Sequence, residues 1–596
     1  MKTALLVFGM LSLSSAISEA AVNPTALQTV AERSGYKRTG RYDEVEKLCP
    51  AYEAAWPQFV KCAEFGRTPE GRPLLALIVS KTGVLTPEQA REKNIPVMVA
   101  QGGIHAGEID GKDAGFLAIR ELLQDKTAPR SLESYVFVFV PVFNVDGHER
   151  FGRWQRPNQV GPEEMGWRTT GQNLNLNRDY AKADAPEMQA MLRLLDAWDP
   201  ILYVDLHVTD GAQFEHDVAN LIEPFVSGDP TLQKVGRETV TELNAALAQK
   251  GSLPLDFYPS FMTDDDPASG FEATPSQPRF SQGYWSLHNR LALLVETHSW
   301  KDYPTRVRIT YNILVKLSEQ MAKNGKRWKD AAREADERAS GLGGQEVVLD
   351  YGAKPEGRTI EFRGYAYTRE PSAVSGGLVT HYDPTKPQIW RIPLRDTLVP
   401  TVVTKAPTGG YVVMPAHATW MAERLALHGV RFSRVEKGTA SAAVETFRAD
   451  SATPSASTFE GRTFMSVQGV WKNDKRELPA GALYVPIAQP NARLVLALLE
   501  PQAPDSFLSW GFFNAAFERK EYMEAYVAEQ LGKEMLAKDA KLAAEFNQRL
   551  ASDPKFAADP QARLDFFFRR SPSFDDRLNL YPVYRVAAPP ANTQAP

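Results

Sequence analysis

The sequence predicts an α/β fold for the chain up to residue 340, followed by a β-rich region with a helical tail. Three observations predict it. Five near-continuous apolar runs, at 74–80, 96–103, 135–144, 201–207 and 291–298, have the length and texture of strands covered on both faces, as in a parallel or mixed sheet. Helical patterns lie at 107–124, 185–198, 232–250 and 304–340, and strand–helix alternation marks the α/β class. After GLGG (341–344) the texture turns to short β-like segments with Gly and Pro turns, which suits an all-β module of sandwich type.

Each part has its own justification. The chain has 596 residues, 43% hydrophobic, 10% aromatic and 24% charged. That is ordinary globular composition, which excludes wholesale disorder, collagen and coiled coil. The net charge of −5 comes with no basic stripe, so no nucleic-acid partner is expected. Lys2 followed by the apolar stretch 4–17 and small residues near Ala20 and Ala21 reads as a secretory signal peptide over 1–20. No later run is long enough for a membrane helix, so no span is expected in the mature chain. The short distance from residue 21 to the first motif leads to the expectation that no propeptide is present. The two cysteines, Cys49 and Cys62, are expected to form one disulfide in an oxidising compartment. A catalytic unit is expected over 21–340 and a β-rich or α+β region of unread role over 345–596. SATPSAST (451–458) reads as a loop, SFLSWGFF (506–513) as core, 512–550 as a helical tail and the last ten residues as disordered.

The chemistry sits at the ends of the strands. The 96–103 run leads into GGIHAGEIDG, where His105 and Glu108 stand three apart, a spacing that puts both side chains on one side of a helical turn. An imidazole and a carboxylate so placed can bind zinc, and a hydrolytic site wants a third ligand and an open position for water. The 201–207 run delivers His207 at a strand's C-terminal end, where ligand sites of α/β folds gather. Glu296 ends the 291–298 run; burying a lone carboxylate is costly, so it reads either as half of a strand-end salt bridge or as a base facing water. Asn177 and Arg178, in GQNLNLNRDY, can hold a substrate carboxylate because Arg presents a planar fork that matches it. Arg168, in GWR, can stabilise an oxyanion; taken singly, each of these reads more readily as part of a surface loop. Asp205 and Asp210 flank His207 and are candidates to orient it. The remaining histidines, including His298 and His428, lack ligand spacing and read as structural.

HAGE, NVDG, GWR, NLNRDY, DLH and VETH, in that order, resemble the zinc carboxypeptidase family (the funnelin type), over about 44–308. The resemblance implies a mixed eight-stranded sheet flanked by helices. It implies a single zinc ion on His105, Glu108 and His207, Glu296 as general base and proton shuttle, and Arg168 on the oxyanion. It implies Asn177 and Arg178 on the substrate's terminal carboxylate.

The sequence also departs from that family. Gly107 stands where the family has an arginine inside HxxE, which removes one carboxylate-binding group. Asn175 replaces an aspartate that orients a ligand histidine, leaving a neutral, weaker bond. The capping tyrosine has two candidates, Tyr284 and Tyr258, of which Tyr284 is the first choice. Counting back from Glu296 puts Ser281 and Gln282 near the specificity pocket, so an uncharged polar floor with no strict preference for basic end residues is expected. The expected protein is a secreted or periplasmic zinc metallocarboxypeptidase acting on peptides with a free C-terminal carboxylate. The alternative is a zinc amidase acting on peptidoglycan stem peptides or N-acyl amino acids. The sequence leaves the oligomeric state open.

Overall fold

The computed structural model describes residues 24–209, 211–591 and 593; the stretch read as a signal peptide lies outside them. Its centre is an eight-stranded mixed sheet built from β1 (Val60–Arg67), β2 (Pro73–Val79), β3 (Val97–Gly102), β4 (Val136–Val140), β5 (Leu202–Thr209), β6 (Val218–Glu223), β7 (Pro254–Leu255) and β9 (Leu291–His298). A short strand, β8 (Phe271–Glu272), belongs elsewhere. The spatial order is β1-β2-β4-β3-β5-β9-β6-β7. The strands β4, β3, β5 and β9 run parallel, and antiparallel pairs flank them on both sides. All five apolar runs became strands of this sheet; β1, β6 and β7, shorter on apolar residues, were not anticipated.

Side-chain alternation sorts these strands between two cores. Met98, Ala100, Phe137, Phe139, Leu202, Val204, Leu206, Leu293 and Val295 join one cluster, while Val97, Val99, Val136, Val138, Val140, Tyr203 and Ala292 join the other. Period-two alternation with both faces apolar is what makes the runs continuous in sequence. The first core is closed by helices α1 (Tyr42–Ala55), α2 (Asp110–Leu123), α4 (Pro230–Gln249) and α6 (Tyr303–Ser340), and the second by α3 (Pro186–Trp198) together with the C-terminal half of the chain. A one-and-a-half-turn helix, α5 (Ser281–Ser286), precedes β9. Helix α6 begins with a side-chain cap from Asp302 to the Thr305 amide at 3.0 Å and a proline in its first turn, a pairing that satisfies one orphan amide and needs no other at the proline. Cys49 and Cys62 are disulfide-bonded with Cα atoms 5.3 Å apart, tying α1 to β1.

Beyond Gly344 three further sheets appear rather than a two-sheet sandwich. Strands β10 (Glu346–Ala353) and β13 (Leu398–Lys405) pair with each other. The long hairpin of β11 (Arg358–Pro371) and β12 (Leu378–Arg395) adds β8 at its edge. The third sheet has six strands, in the order β15 (Ser433–Arg434), β18 (Leu483–Pro486), β14 (Gly410–Val413), β19 (Val583–Val586), β16 (Thr439–Pro454) and β17 (Met465–Leu478). SATPSAST was expected to be a loop, yet its first half continues β16 because it pairs with β17. Helix α7 (Pro415–Leu427) and helix α8 (Ala492–Leu499) pack in the second core with Phe507, Leu508 and Phe513. The helical tail starts later than expected, with α9 (Ala525–Lys538), α10 (Ala540–Ser552), α11 (Pro554–Ala558) and α12 (Pro560–Phe568). Among the described residues no helix is long and apolar enough to cross a membrane.

Candidate active site

His105 and Glu108 lie in the turn between β3 and α2, and His207 lies two residues from the end of β5. In the parallel β5–β9 ladder His207 pairs with Glu296, two residues from the end of β9. The ladder places these four residues together. One ligand atom from each of His105, Glu108 and His207 lies within 4.8 Å of the others, and all three residues are buried. The Nδ1 atoms of both imidazoles face the Glu108 carboxylate, at 2.9 Å for His105 and 3.0 Å for His207. The opposite ring nitrogens are held from behind. Asn175 Oδ1 stands 3.1 Å from His105 Nε2, and Asp205 Oδ2 stands 2.9 Å from His207 Nε2. Such backing fixes ring orientation in metal sites. His105 Nδ1, though close to Glu108, makes no hydrogen bond, an orphaned buried atom aimed at its neighbours' donors. A tetrahedral zinc ion with bonds of about 2.0–2.3 Å sets its ligand atoms roughly 3–4 Å apart, so the three residues fit one such ion.

The two imidazoles differ in their electrostatics. Burial holds His105 down to about 4, so it is neutral with a lone pair to donate. Burial works against the ionised form of Glu108, but His105 and Arg156 outweigh it and hold its carboxyl well below the usual range. Burial also opposes charge on His207; Asp205, Glu108 and Glu296 overcome it and push the ring upward. Asp205 therefore orients His207; Asp210 lies outside the described residues.

A cavity of about 480 Å³ opens over this cluster, lined by His105, Glu108, Arg168, Asn177, Arg178, Tyr258 and Glu296, with β6 and the 272–282 segment as its far wall. Glu296 is only 6% exposed. Arg168 Nη1 stands 3.5 Å from Glu108 Oε1. Its loop is fixed by the NVDG turn: Asn144 donates to the Arg168 carbonyl at 3.1 Å and accepts from the Gly147 amide at 3.0 Å. The Arg178 guanidinium donates to the Asn177 carbonyl at 2.7 Å and lies over the Phe280 ring at 4.5 Å. No carboxylate of the described residues lies within ion-pair distance of it, and burial pulls its pKa down from the ordinary value. The Oδ1 of Asn177 is buried without a hydrogen bond.

Two expectations need correction. Tyr284 does not reach the cavity: α5 turns it into the second core, where its hydroxyl meets His428 Nδ1 at 2.8 Å and its ring packs on Tyr180. Tyr258 lines the cavity instead, with its hydroxyl 3.2 Å from Thr209 Oγ1. Nor is the cavity floor uncharged. Gln282 lines it, but so does Glu223 at the end of β6; the strand that carries Glu223 was not anticipated. His298 stacks on Phe214 at 4.1 Å rather than facing the cluster.

Sequence reasoning also missed Arg156. Its guanidinium sits 2.9 Å from Glu108 Oε1, and a Cβ at Gly107 would fall 2.5 Å from its Cγ. The absent side chain in HxxE thus makes room for an arginine from a loop about fifty residues on. Also missed was the reach of the C-terminal half. Glu460 accepts from the Asn175 amide at 2.8 Å. Arg462 and Arg424 bind Asp184, Arg279 pairs with Asp505, and Asp396 and Leu398 line the cavity. No local signal in the sequence marks any of these.

A mixed eight-stranded sheet thus gathers two imidazoles and a carboxylate near the ends of its parallel strands, a donor set able to hold one metal ion. Residues 45–252 match the profile of the zinc carboxypeptidase family. The match contains His105, Glu108, Arg168, Asn177, Arg178 and His207; Glu296 lies beyond it. Similar curated proteins include carboxypeptidase B of Helicoverpa zea, 30% identical over 117 residues, which is 19% of this chain and 25% of that protein. An inactive metallocarboxypeptidase of Saccharomyces cerevisiae is 34% identical over 124 residues, 19% of this chain and 28% of that protein. The aligned stretches thus span about a quarter of these relatives' lengths. Among solved structures, carboxypeptidase A of Helicoverpa armigera is 16% identical, covering 50% of this chain and 75% of that one with a TM-score of 0.35. A metallo-carboxypeptidase of Burkholderia cenocepacia is 16% identical, covering 46% and 68% with a TM-score of 0.33.

Proposed function

We propose that this protein is an exported zinc carboxypeptidase that removes single residues from the C-terminal ends of peptides. The observation that carries the reading is the convergence of His105, Glu108 and His207 in one cavity with Glu296 and Arg178. His105, Glu108 and His207 would hold zinc, which when bound would supply Lewis acidity toward the substrate carbonyl and water. Glu296 takes the proton from the attacking water and passes it to the leaving amine. Arg168 faces the charge that develops on the carbonyl oxygen. Arg178 and Asn177 hold the terminal carboxylate, and this confines cleavage to the chain end and orients the bond for attack. Tyr258, at the cavity wall, is the tyrosine placed to cap the bound residue. Export rests on the apolar stretch at 4–17 and on the Cys49–Cys62 disulfide, which suits an oxidising compartment.

The test is a panel of peptides and muropeptides, with and without a chelator. Release of single C-terminal residues that stops on zinc removal, and falls by at least a thousandfold in Glu296→Gln with zinc still bound, is the expected result. Activity on muropeptides alone would replace this reading with the amidase, and full activity in Glu296→Gln would remove the assigned base.

A further inference from the structure

The C-terminal half reaches behind the metal ligands at one turn. Between β16 and β17 the chain forms a loop over 455–464, closed by the Ser455 amide donating to the Phe464 carbonyl at 2.8 Å. At its tip Phe459 and Arg462 exchange both backbone hydrogen bonds, at 2.8 and 3.1 Å. The two residues between them have positive φ, 50° at Glu460 and 77° at Gly461. That is the type I′ turn, whose central positions favour Asn, Asp or Gly. Glutamate is sterically disfavoured there, and the turn itself needs no carboxylate. The tip is pinned on both sides. Arg462 binds Asp184 through two nitrogens, at 2.6 and 2.7 Å, and the Phe459 ring lies over Trp510 with centres 6.2 Å apart.

Held in this way, Glu460 presents its carboxylate to Asn175. Its Oε2 accepts from the Asn175 backbone amide at 2.8 Å. Asn175 is buried, and its side-chain oxygen has two neighbours, the Asn177 amide at 3.0 Å and His105 Nε2 at 3.1 Å. A backbone N–H can only donate, so the first contact fixes which end of the Asn175 side chain is the oxygen. That oxygen can only accept, so Nε2 of His105 carries the proton and the lone pair stays on Nδ1. Nδ1 is the nitrogen on the ligand side, 2.9 Å from Glu108 Oε1. One asparagine thus sets the tautomer of a metal ligand and, through Asn177, the entry of the segment that brings Arg178 to the cavity.

Little else fixes the backbone at Asn175. Between α5's predecessor in the chain, the short helix Val145–Glu149, and α3 the regular structure is one turn of 3-10 helix, Leu176–Arg178. No sheet ladder and no long helix holds Asn175, and its amide has Glu460 as acceptor. A buried amide without an acceptor is costly. Without the carboxylate the backbone at Asn175 would move toward another acceptor, and its side-chain oxygen would leave His105 Nε2 with it.

We propose that Glu460 is a positioning residue for the metal site: through Asn175 it holds His105 in its ligand tautomer and orientation, so the C-terminal half completes a site whose ligands all lie in the first half. This rests on the zinc carboxypeptidase reading above, and the experiment separates the two. Zinc affinity of the full chain is measured by competition with a chromophoric chelator, and cleavage of a peptide with a free C-terminus is followed alongside. Glu460→Gly removes the carboxylate and suits the positive φ of the turn; zinc affinity should fall about tenfold or more. Glu460→Gln keeps an acceptor for the Asn175 amide and should bind zinc within about twofold of wild type. In an Asn175→Ala background no side chain at 175 reaches His105, so Glu460→Gly should cost no further affinity, whereas an effect exerted elsewhere would add. Wild-type affinity in Glu460→Gly, or a loss that persists undiminished in the Asn175→Ala background, overturns the proposal. Glu460→Asp tolerates the same φ and stops one methylene short of the amide; it carries the same prediction as Glu460→Gly and decides the outcome should that variant fail to fold. The expected pattern of zinc affinities in a protein that cleaves no peptide overturns the carboxypeptidase reading and leaves the role of Glu460 standing.

Discussion

Glu223→Gln should change how stability depends on pH. The ordinary carboxyl value of 4.5 rises to about 7 in the folded protein because burial disfavours the charge. At about 1.4 kcal/mol per pKa unit, that rise amounts to roughly 3 kcal/mol. The sign follows from proton binding. Below pH 4.5 the group is protonated in both states and costs nothing. Between 4.5 and about 7 the unfolded chain ionises while the folded chain keeps its proton, so stability falls as pH rises. Above 7 the full penalty remains. Glutamine cannot ionise and escapes this loss, so the variant gains on wild type by about 2 kcal/mol between pH 5 and pH 8. The amide keeps one carbonyl acceptor for the two backbone donors, Phe225 and Ser276, and the bond lost costs about 1 kcal/mol at every pH. Urea unfolding in chelator, followed by tryptophan fluorescence at the two pH values, gives the comparison. A difference between variant and wild type that is the same at both would refute the reasoning, since it would mean Glu223 carries no burial penalty.

Three further outcomes are expected. Gly107→Ala should cost about 1–3 kcal/mol by overpacking, because its Cβ would meet the Gly166 carbonyl at 2.6 Å as well as the Arg156 stem; zinc retained after dialysis should drop, and unchanged retention and unfolding midpoint would count against the contact. Arg462→Ala removes a two-pronged pair with Asp184 at 2.6 and 2.7 Å from the loop that joins Asn177 and Arg178 to α3; KM should rise about tenfold, a loss of roughly 1.4 kcal/mol, and kinetics like wild type would show that the C-terminal half does not support the carboxylate clamp. The Cys49→Ser/Cys62→Ser double variant opens a loop of sequence separation 13 and should lose about 3 kcal/mol, read as a lower Tm; an unchanged Tm would disprove the contribution.

The ligand cluster was legible because each ligand sits in a short motif whose local structure the sequence dictates. HAGE follows an apolar strand, DLH lies near the end of another, and Glu296 lies near the end of a third; parallel strands bring such ends to one edge. Tyr284 was misplaced because a tyrosine seven residues before a strand carries no mark of which way its helix turns, and α5 turns it into the core against His428. Arg156 was missed because its partnership with Glu108 depends on empty space at Gly107; nothing in GRWQRPN points there. Glu223 was missed for a related reason. NLIEP is too polar to read as a strand, and only its register against β9 shows which face the glutamate takes.

The sequence by itself determined the α/β class, the five central strands, the long helices and the residues able to bind a metal, since these follow from local periodicity and residue chemistry. Only the tertiary structure decided the shape and charge of the cavity and the part played by the C-terminal half. It puts Glu223 at the far end and brings Glu460, Arg462 and Asp396 to the site from more than a hundred residues away. Strand register and inter-sheet packing arise from contacts between segments distant in the chain, and no periodicity within one segment encodes them.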